Sequence, residues 1–228
     1  MIMNTELKTL YIRPTHIPNG QYLCLLGLIG ILLTAILSFL LPNIAPAAIT
    51  ILLISTLILT LIGYMSYQDE ALSFTLTFMH IQFHSPYGGW TTRWTNIEQI
   101  AQATIEQDGW HQPIPWVGIK LKDYEGFIED ICPRVASKLL IEQRPLLVMA
   151  HKRSGNTNEQ LEDILFDDSH VTLSSGKTFK GLQAMLANRM RYNRAYLGYD
   201  FFISEDTLDR PAADFAGLVR RYLANSHR

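Results

Sequence analysis

The stretch PYGGWTTRWTNIEQI, residues 86–100, is the starting point for predicting the fold of residues 69–228. Two adjacent glycines can adopt backbone angles that other residues avoid, so Gly88 and Gly89 predict a tight turn between two strands. Trp90 and Trp94 have the same parity on an extended strand, which places both rings on one side. Because large aromatic rings dominate small protein cores, we interpret both tryptophans as core residues. The stretch is therefore predicted to be a structural hairpin and not a catalytic loop.

Alternating apolar and polar residues flank this hairpin on both sides. The segment ALSFTLTF, residues 71–78, and the segment WVGIKLKD, residues 116–123, both place their apolar residues at every second position. Short alternating runs separated by Gly, Pro and Asp are typical of an antiparallel meander. We therefore predict an antiparallel sheet domain over residues 69–228.

Two apolar runs precede this domain, in a part of the chain without charge. No Asp, Glu, Lys or Arg lies between Arg13 and Asp69. The runs are YLCLLGLIGILLTAILSFLL, residues 22–41, and IAPAAITILLISTLILTLIGYMSY, residues 44–67. A helix of about 20 residues crosses a hydrocarbon core roughly 30 Å thick. We predict a transmembrane helical hairpin over residues 21–68, with spans at about 22–41 and 44–66.

Basic residues predict the orientation of this hairpin. Lys8 and Arg13 precede the first span, and the short link between the spans carries no basic residue. The positive-inside rule then places both termini of this multi-pass protein in the cytoplasm. Residues 1–20 are accordingly predicted to be a cytoplasmic N-terminal segment. The net charge of −2 gives no signal for nucleic-acid binding.

The pattern changes to helical spacing after Asp123. We predict a mostly helical insertion over about residues 124–197, with a kink or helix end at Pro145 and a stop at Gly198. A strand, YDFFISEDTL, and an amphipathic helix, RPAADFAGLVRRYLANS, then close the chain.

The order of these segments resembles that of bacterial pleckstrin-homology-like (PH-like) membrane proteins. In that group a strand ends in a Trp with an Ile three residues later, which correspond here to Trp94 and Ile97. The chain is similar to a proteobacterial membrane-protein family catalogued as a domain of unknown function. The resemblance implies an α+β protein of the bacterial inner membrane: the hairpin, then a PH-like antiparallel β-sandwich or barrel with a helical insertion and a C-terminal capping helix. Trp90, Trp94 and Ile97 are its expected structural core.

One segment is a candidate for contact with a membrane or a partner. Residues 177–194 contain no acidic residue and carry five basic ones: Lys177, Lys180, Arg189, Arg191 and Arg194. Each basic side chain near an anionic lipid surface contributes about 1 kcal/mol of attraction. The alternative is a solvated basic face that pairs with the acidic segment just before it.

Other candidate chemistry is weak in this sequence. SSGKTF, residues 174–179, resembles the end of a phosphate-binding loop, but Val171 stands where that motif needs a glycine. We interpret the serines as caps of the next helix. His80 and His84 are about 13 Å apart along a strand and cannot share one metal ion without a bulge. We predict no catalytic residues, cofactor or metal.

Three hypotheses for function remain open. The first is a membrane-anchored, non-catalytic module that binds a membrane or cytoplasmic protein, or an anionic lipid surface. The second is an accessory subunit of an inner-membrane enzyme or transporter, and the third is a structural protein that forms homo-oligomers through the hairpin. The resemblance supplies a fold and no partner.

Overall fold

The computed structural model describes residues 8–14, 20–40, 45–68, 73–107, 110–154 and 160–226. The chain divides into two compact units. One consists of residues His16–Ala71, and the other of Met1–Thr15 together with Leu72–Arg228. The protein is α+β, with two apolar N-terminal helices and an antiparallel sheet domain.

The smaller unit consists of helices α1, Gly20–Leu40, and α2, Pro46–Gln68. Their apolar spans Tyr22–Leu40 and Pro46–Met65 have mean hydropathies of 2.7 and 2.3, and only 11% and 6% of these spans is buried. By length and composition both helices can cross a membrane. Leu41, Pro42, Asn43 and Ile44, which include the predicted link, lie outside the described residues.

Small residues allow α1 and α2 to pack closely. A Cβ atom added at Gly27 would lie 2.2 Å from Oγ1 of Thr60, and one at Gly63 would lie 2.4 Å from the backbone nitrogen of Cys24. Thr60 donates its hydroxyl to the carbonyl of Thr56 within its own helix. Close backbone approach through small residues is a common basis of helix packing between apolar helices.

The first sheet of the larger unit has four antiparallel strands in the order β1-β2-β3-β4. These strands are β1, Leu10–Ile12; β2, Phe74–Leu76; β3, His80–Ser85; and β4, Gly88–Arg93. Phe78, predicted to continue β2, is instead exposed in the turn after that strand.

Strand β1 shows that part of the N-terminal segment belongs to the sheet domain, which the sequence did not predict. It pairs with β2 across the intervening hairpin sequence, and Ile12 is fully buried. Tyr222, near the C-terminus, donates its hydroxyl to the carbonyl of Lys8. Sequence reasoning missed this strand because three residues are too short to show an alternating pattern.

Pro86 and Tyr87 form the β3–β4 turn, and Gly88 and Gly89 begin β4 directly after it. Each position requires a glycine for a different reason. Gly88 has a φ angle of 118°, which other residues rarely adopt. Gly89 has no positive φ, but a Cβ atom there would lie 2.1 Å from the carbonyl oxygen of Phe83. Only the first glycine therefore has the conformational role that the sequence predicted.

Trp94 lies at the junction between the two sheets. A 3₁₀ turn, Trp94–Asn96, ends β4, and Ile97 begins the second sheet. This sheet has three antiparallel strands in the order β5-β6-β9: β5, Ile97–Gln107; β6, Trp110–Leu121; and β9, Phe201–Ser204. The tryptophan is fully buried, and its indole Nε1 donates to the carbonyl of Thr77 at 2.8 Å.

The helical insertion lies between β6 and β9. It contains α3, Glu125–Asp130; α4, Pro133–Glu142; α5, Arg144–Ser154; α6, Leu161–Leu165; a two-stranded ribbon of β7, Val171–Thr172, and β8, Thr178–Phe179; and α7, Gly181–Leu197. Pro145 is the second residue of α5, a position where its missing N–H is harmless. Helix α7 ends at Gly198, whose φ angle is 80°.

Aromatic side chains from both sheets and the insertion share one core. The Trp90 ring lies 5.2 Å from that of Phe201 and 5.7 Å from that of Phe127, measured between centroids. The C-terminal helix α8, Ala212–Ser226, covers the sheets, and its Tyr222 ring lies 5.8 Å from that of Trp94. Trp90, Trp94 and Ile97 are 3%, 0% and 0% exposed.

Candidate functional site

A fully buried carboxylate fixes the C-terminal end of α7 against the second sheet. Asp200, directly before β9, is 0% exposed. Its carboxylate accepts hydrogen bonds of 2.6 Å from the backbone N–H of Leu121 and from the hydroxyl of Tyr124. The guanidinium of Arg194 donates to both carboxylate oxygens, also at 2.6 Å. A buried carboxylate is stable only when its oxygens are satisfied in this way.

Arg194 connects this carboxylate to the protein surface. One of its terminal nitrogens also donates to the carbonyl of Leu121, and the guanidinium lies 5.2 Å from the ring centroid of Tyr124. The hydrogen bond to Asp200 raises the pKa of Arg194. Burial, followed by the hydrogen bond to Asp200, raises the pKa of the Tyr124 hydroxyl. Tyr124 is therefore a neutral donor and Arg194 a permanent cation at physiological pH.

An open groove of about 470 Å³ lies in front of Arg194. Three parts of the fold form it: the segment after β6, the turn between β7 and β8, and the exposed side of α7. The residues that line it are Lys122, Asp123, Tyr124, Leu173, Ser174, Arg191, Arg194 and Ala195. Three of these side chains are cationic and one is anionic, so the groove is positively charged.

The segment after β6 is held in place by Asn96. The side chain of Asn96 donates to the carbonyl of Asp123 and accepts from its backbone N–H, both at 2.9 Å. Lys122 donates from Nζ to the carbonyl of Thr95 at 2.8 Å. These contacts fix the backbone that carries Lys122 and Tyr124 into the groove.

On the opposite wall, Arg191 extends from the exposed side of α7. Its closest hydrogen-bond acceptor among the described residues is Oδ1 of Asn188, at 3.5 Å, the limit for such a contact. Asn188 itself is buried and donates to the carbonyls of Asp167 and Ser169. The guanidinium of Arg191 is therefore exposed and only weakly engaged.

The structure separates the five basic residues predicted to form one contact surface. Lys177 pairs with Glu129, and Lys180 is exposed just before α7. Arg191 and Arg194 lie together in the groove. Arg189 is 4% exposed, so the prediction of a surface contact for this residue is wrong.

Arg189 is instead a buried structural cation. It donates to the carbonyl of Leu140 at 3.1 Å and to that of Leu165 at 2.6 Å, near the C-terminal ends of α4 and α6. Helix C-termini carry partial negative charge, which compensates a cation in part. Among the described residues no salt bridge reaches Arg189, and burial lowers its pKa to about 10.

Sequence reasoning missed Lys122, Tyr124, Ser174 and Asp200 as members of this site. One signal was present: Asp200 is a single acidic residue inside the apolar run YDFFI, residues 199–203. A carboxylate in a buried strand needs a cationic or hydrogen-bonding partner. No sequence pattern indicates that the partner is Arg194 or that Lys122 lies nearby.

The segment SSGKTF contains the turn of the β7–β8 ribbon and strand β8, so the predicted helix cap at Ser174 or Ser175 is wrong. Gly176 has a φ angle of 86°, and its N–H donates to the carbonyl of Leu173. Helix α7 begins five residues after this turn, and Lys180 precedes it without a side-chain cap. The turn contributes Ser174 to the groove.

The two histidines of β3 lie away from the groove and have separate surroundings. His80 pairs in register with Arg93, whereas Nε2 of His84 lies 2.9 Å from the hydroxyl of Thr75. Burial lowers the pKa of His84. Among the described residues, no three His, Cys, Asp or Glu side chains come together as a metal site.

A family model described as "Protein of unknown function (DUF2982)" matches residues 74–225 of the 228-residue chain. This range contains β2 to β9 and nearly all of α8, and so includes the groove. The chain belongs to this family. No curated protein and no solved structure matches the chain.

Proposed function

We propose that this member of the DUF2982 family is a two-span inner-membrane protein whose PH-like cytoplasmic domain is a non-catalytic binding module for a protein or a membrane surface. Two apolar helices support the membrane part, because their spans expose apolar side chains along most of their length. The two antiparallel sheets and the C-terminal helix that packs on them support the PH-like part.

The basic residues support the orientation within this proposal. Lys8 and Arg13 lie on the N-terminal side of α1, and all the other Lys and Arg residues follow α2. Basic residues near membrane spans are retained in the cytoplasm. Both termini and the sheet domain are therefore cytoplasmic in the proposed topology.

One observation carries the binding role: the open, positively charged groove formed by Lys122, Arg191 and Arg194. An exposed Arg191 with little engagement inside the protein is available to a partner. The rigid network around Asp200 holds the floor of the groove in one geometry. A fixed, charged and open surface is suited to binding rather than to enclosing a reaction.

Site-specific crosslinking tests the binding role. A photo-crosslinking amino acid at Ala195, exposed in the groove, is compared in intact cells with one at Lys152, exposed on α5. We expect a discrete protein or lipid adduct from position 195 that is absent from position 152. The binding role is wrong if neither position, or both equally, give adducts.

Topology is tested separately with reporter fusions. A fusion after Asn43 and a fusion after Arg228 should report opposite sides of the membrane, with the C-terminal fusion in the cytoplasm. A periplasmic signal from the C-terminal fusion would contradict the orientation. Recovery of both fusion proteins in the soluble cell fraction would contradict the membrane anchor.

A further inference from the structure

We propose that the groove binds a phosphate group, with Arg191, Lys122 and Arg194 as its cationic contacts. This inference rests on the proposed function, because it names the ligand chemistry of the same site. It is drawn from where the hydrogen-bond donors lie and from which of them are already used inside the protein.

The donors reach the groove from three separate parts of the fold. Arg191 and Arg194 are three residues apart on α7 and therefore lie on one face of that helix. Lys122 approaches from the end of β6, and Ser174 from the β7–β8 turn. An anion in the groove is therefore contacted from several directions rather than from one.

Several donor positions remain after the internal hydrogen bonds are counted. Arg194 uses Nε and Nη2 for Asp200 and Leu121, and within the described part of the chain its Nη1 has no acceptor. Lys122 uses one of its three N–H bonds for the carbonyl of Thr95. Among the described residues, Arg191 donates one hydrogen bond, the 3.5 Å contact to Asn188, and its charge also interacts with the carboxylate of Asp167. Each of the three cations therefore retains N–H groups for a ligand.

The charges favour an anion even after the acidic residues are included. The buried carboxylate of Asp200 is matched by Arg194, so the two cancel. Of the remaining lining side chains, Lys122 and Arg191 are cationic and Asp123 is anionic, which leaves one positive charge. The carboxylate of Asp167, which does not line the groove, also interacts electrostatically with Arg191. A phosphate monoester, with a charge of about −1.5 to −2 at neutral pH, is attracted by this excess and more than offsets it.

The arrangement of donors fits phosphate better than carboxylate. A carboxylate is planar and is satisfied by one guanidinium in a two-bond contact, as Asp200 is by Arg194. A phosphate monoester has three terminal oxygens that point in different directions. Donors that approach from α7, from the end of β6 and from the β7–β8 turn match that tetrahedral shape.

The phosphate can belong to a soluble metabolite or to a lipid headgroup, and calorimetry distinguishes these sources. Full-length protein in an uncharged detergent is titrated with glycerol 3-phosphate, with the short-chain lipid dihexanoyl phosphatidic acid, with dihexanoyl phosphatidylcholine, and with acetate. We expect binding of both phosphate monoesters. A lipid source predicts tighter binding of phosphatidic acid, and a soluble source predicts equal or tighter binding of glycerol 3-phosphate.

Arg191→Gln is the matched variant, because the Arg191 side chain is exposed and, among the described residues, donates only the 3.5 Å hydrogen bond to Asn188. Arg134→Gln, an equally exposed arginine on α4, is the control. Loss of a charge-assisted contact weakens binding about tenfold or more. We expect this loss for Arg191→Gln and unchanged binding for Arg134→Gln.

Three results would overturn the phosphate assignment: no binding of either monoester, equal binding by Arg191→Gln and the unmodified protein, or acetate or phosphatidylcholine binding as tightly as phosphatidic acid. The crosslinking at Ala195 remains independent of these results. An adduct there without phosphate binding would support the binding role of the groove and contradict only the assignment of phosphate as its ligand.

Discussion

Two arginines five residues apart on α7 have their positive charges compensated in different ways. Arg194 meets a buried carboxylate, and the hydrogen bonds to Asp200 raise its pKa. Arg189 meets two helix-end carbonyls, and burial lowers its pKa to about 10. The first region contains a matched pair of charges at the edge of a groove, and the second contains a single charge in the interior.

This difference indicates separate roles for two residues that look alike in the sequence. Arg194 neutralises a buried anion and still faces the solvent, with its side chain 33% exposed. Arg189 joins the ends of α4 and α6, and its Nε is buried with no hydrogen-bond partner among the described residues. A cation held by carbonyls alone serves the architecture of the insertion, whereas a cation at the surface can also serve a ligand.

Trp94→Ala is the uncharged reference for the arginine variants, because it removes a buried side chain without changing any charge. We expect it to cause the largest loss of stability. Truncation of a fully buried Trp costs about 3–5 kcal/mol of stability, and here the hydrogen bond to Thr77 is lost as well. Urea unfolding of the detergent-solubilised protein, followed by circular dichroism, measures this loss. A variant as stable as the unmodified protein would contradict the role of Trp94 at the junction of the sheets.

Arg194→Met should cost nearly as much, because it leaves the carboxylate of Asp200 buried and uncompensated. Removal of one partner from a buried ion pair costs about 3–5 kcal/mol. Thermal unfolding of the full-length protein measures this effect. Adding Asp200→Asn to the variant removes the stranded charge and should recover part of the loss. A double variant less stable than Arg194→Met would show that the charge of Asp200 is not the cause.

Arg189→Met should cost less, about 1–3 kcal/mol, because the unmatched charge is removed together with the hydrogen bonds. The carbonyls of Leu140 and Leu165 are left without this donor. Arg189→Lys is the sharper control: it keeps a buried charge but loses the planar group that reaches both carbonyls. Pulse proteolysis should show a lower free energy of unfolding for Arg189→Lys than for Arg189→Met. The opposite ranking would mean that the charge itself is stabilising.

Tyr124→Phe should have the smallest effect, about 1 kcal/mol, because it removes one neutral donor from Asp200 and keeps the ring beside Arg194. Differential scanning calorimetry of the purified protein measures the change. A loss as large as that for Arg194→Met would show that the hydroxyl, rather than the guanidinium, compensates the carboxylate.

Local patterns in the sequence predicted much of the fold. The two apolar helices, the alternating strands and the burial of Trp90 each follow from residues close together in the chain. The spacing of apolar residues predicts which face of a helix or strand avoids water. This preference does not depend on which distant residues cover that face. The short strand β1 has no such pattern, and only its pairing with β2 reveals it.

The candidate site was only partly predictable. The sequence indicated a basic segment over residues 177–194, which contains Arg191 and Arg194. It gave no sign of Lys122, which comes from a different part of the chain. Side chains converge on the groove because β6 and α7 pack against the same end of β9, and that packing depends on the whole domain.

By itself, the sequence determined the class of the protein: an apolar helical pair, an antiparallel sheet domain and a helical insertion with a basic final helix. Only the tertiary structure decided which arginine of that helix is buried and which is exposed. Arg189 bonds to Leu140, 49 residues away, and Arg194 bonds to Leu121, 73 residues away. The physical reason is that the burial and the pKa of a charged side chain depend on the groups around it in space. For both arginines these groups are distant along the chain.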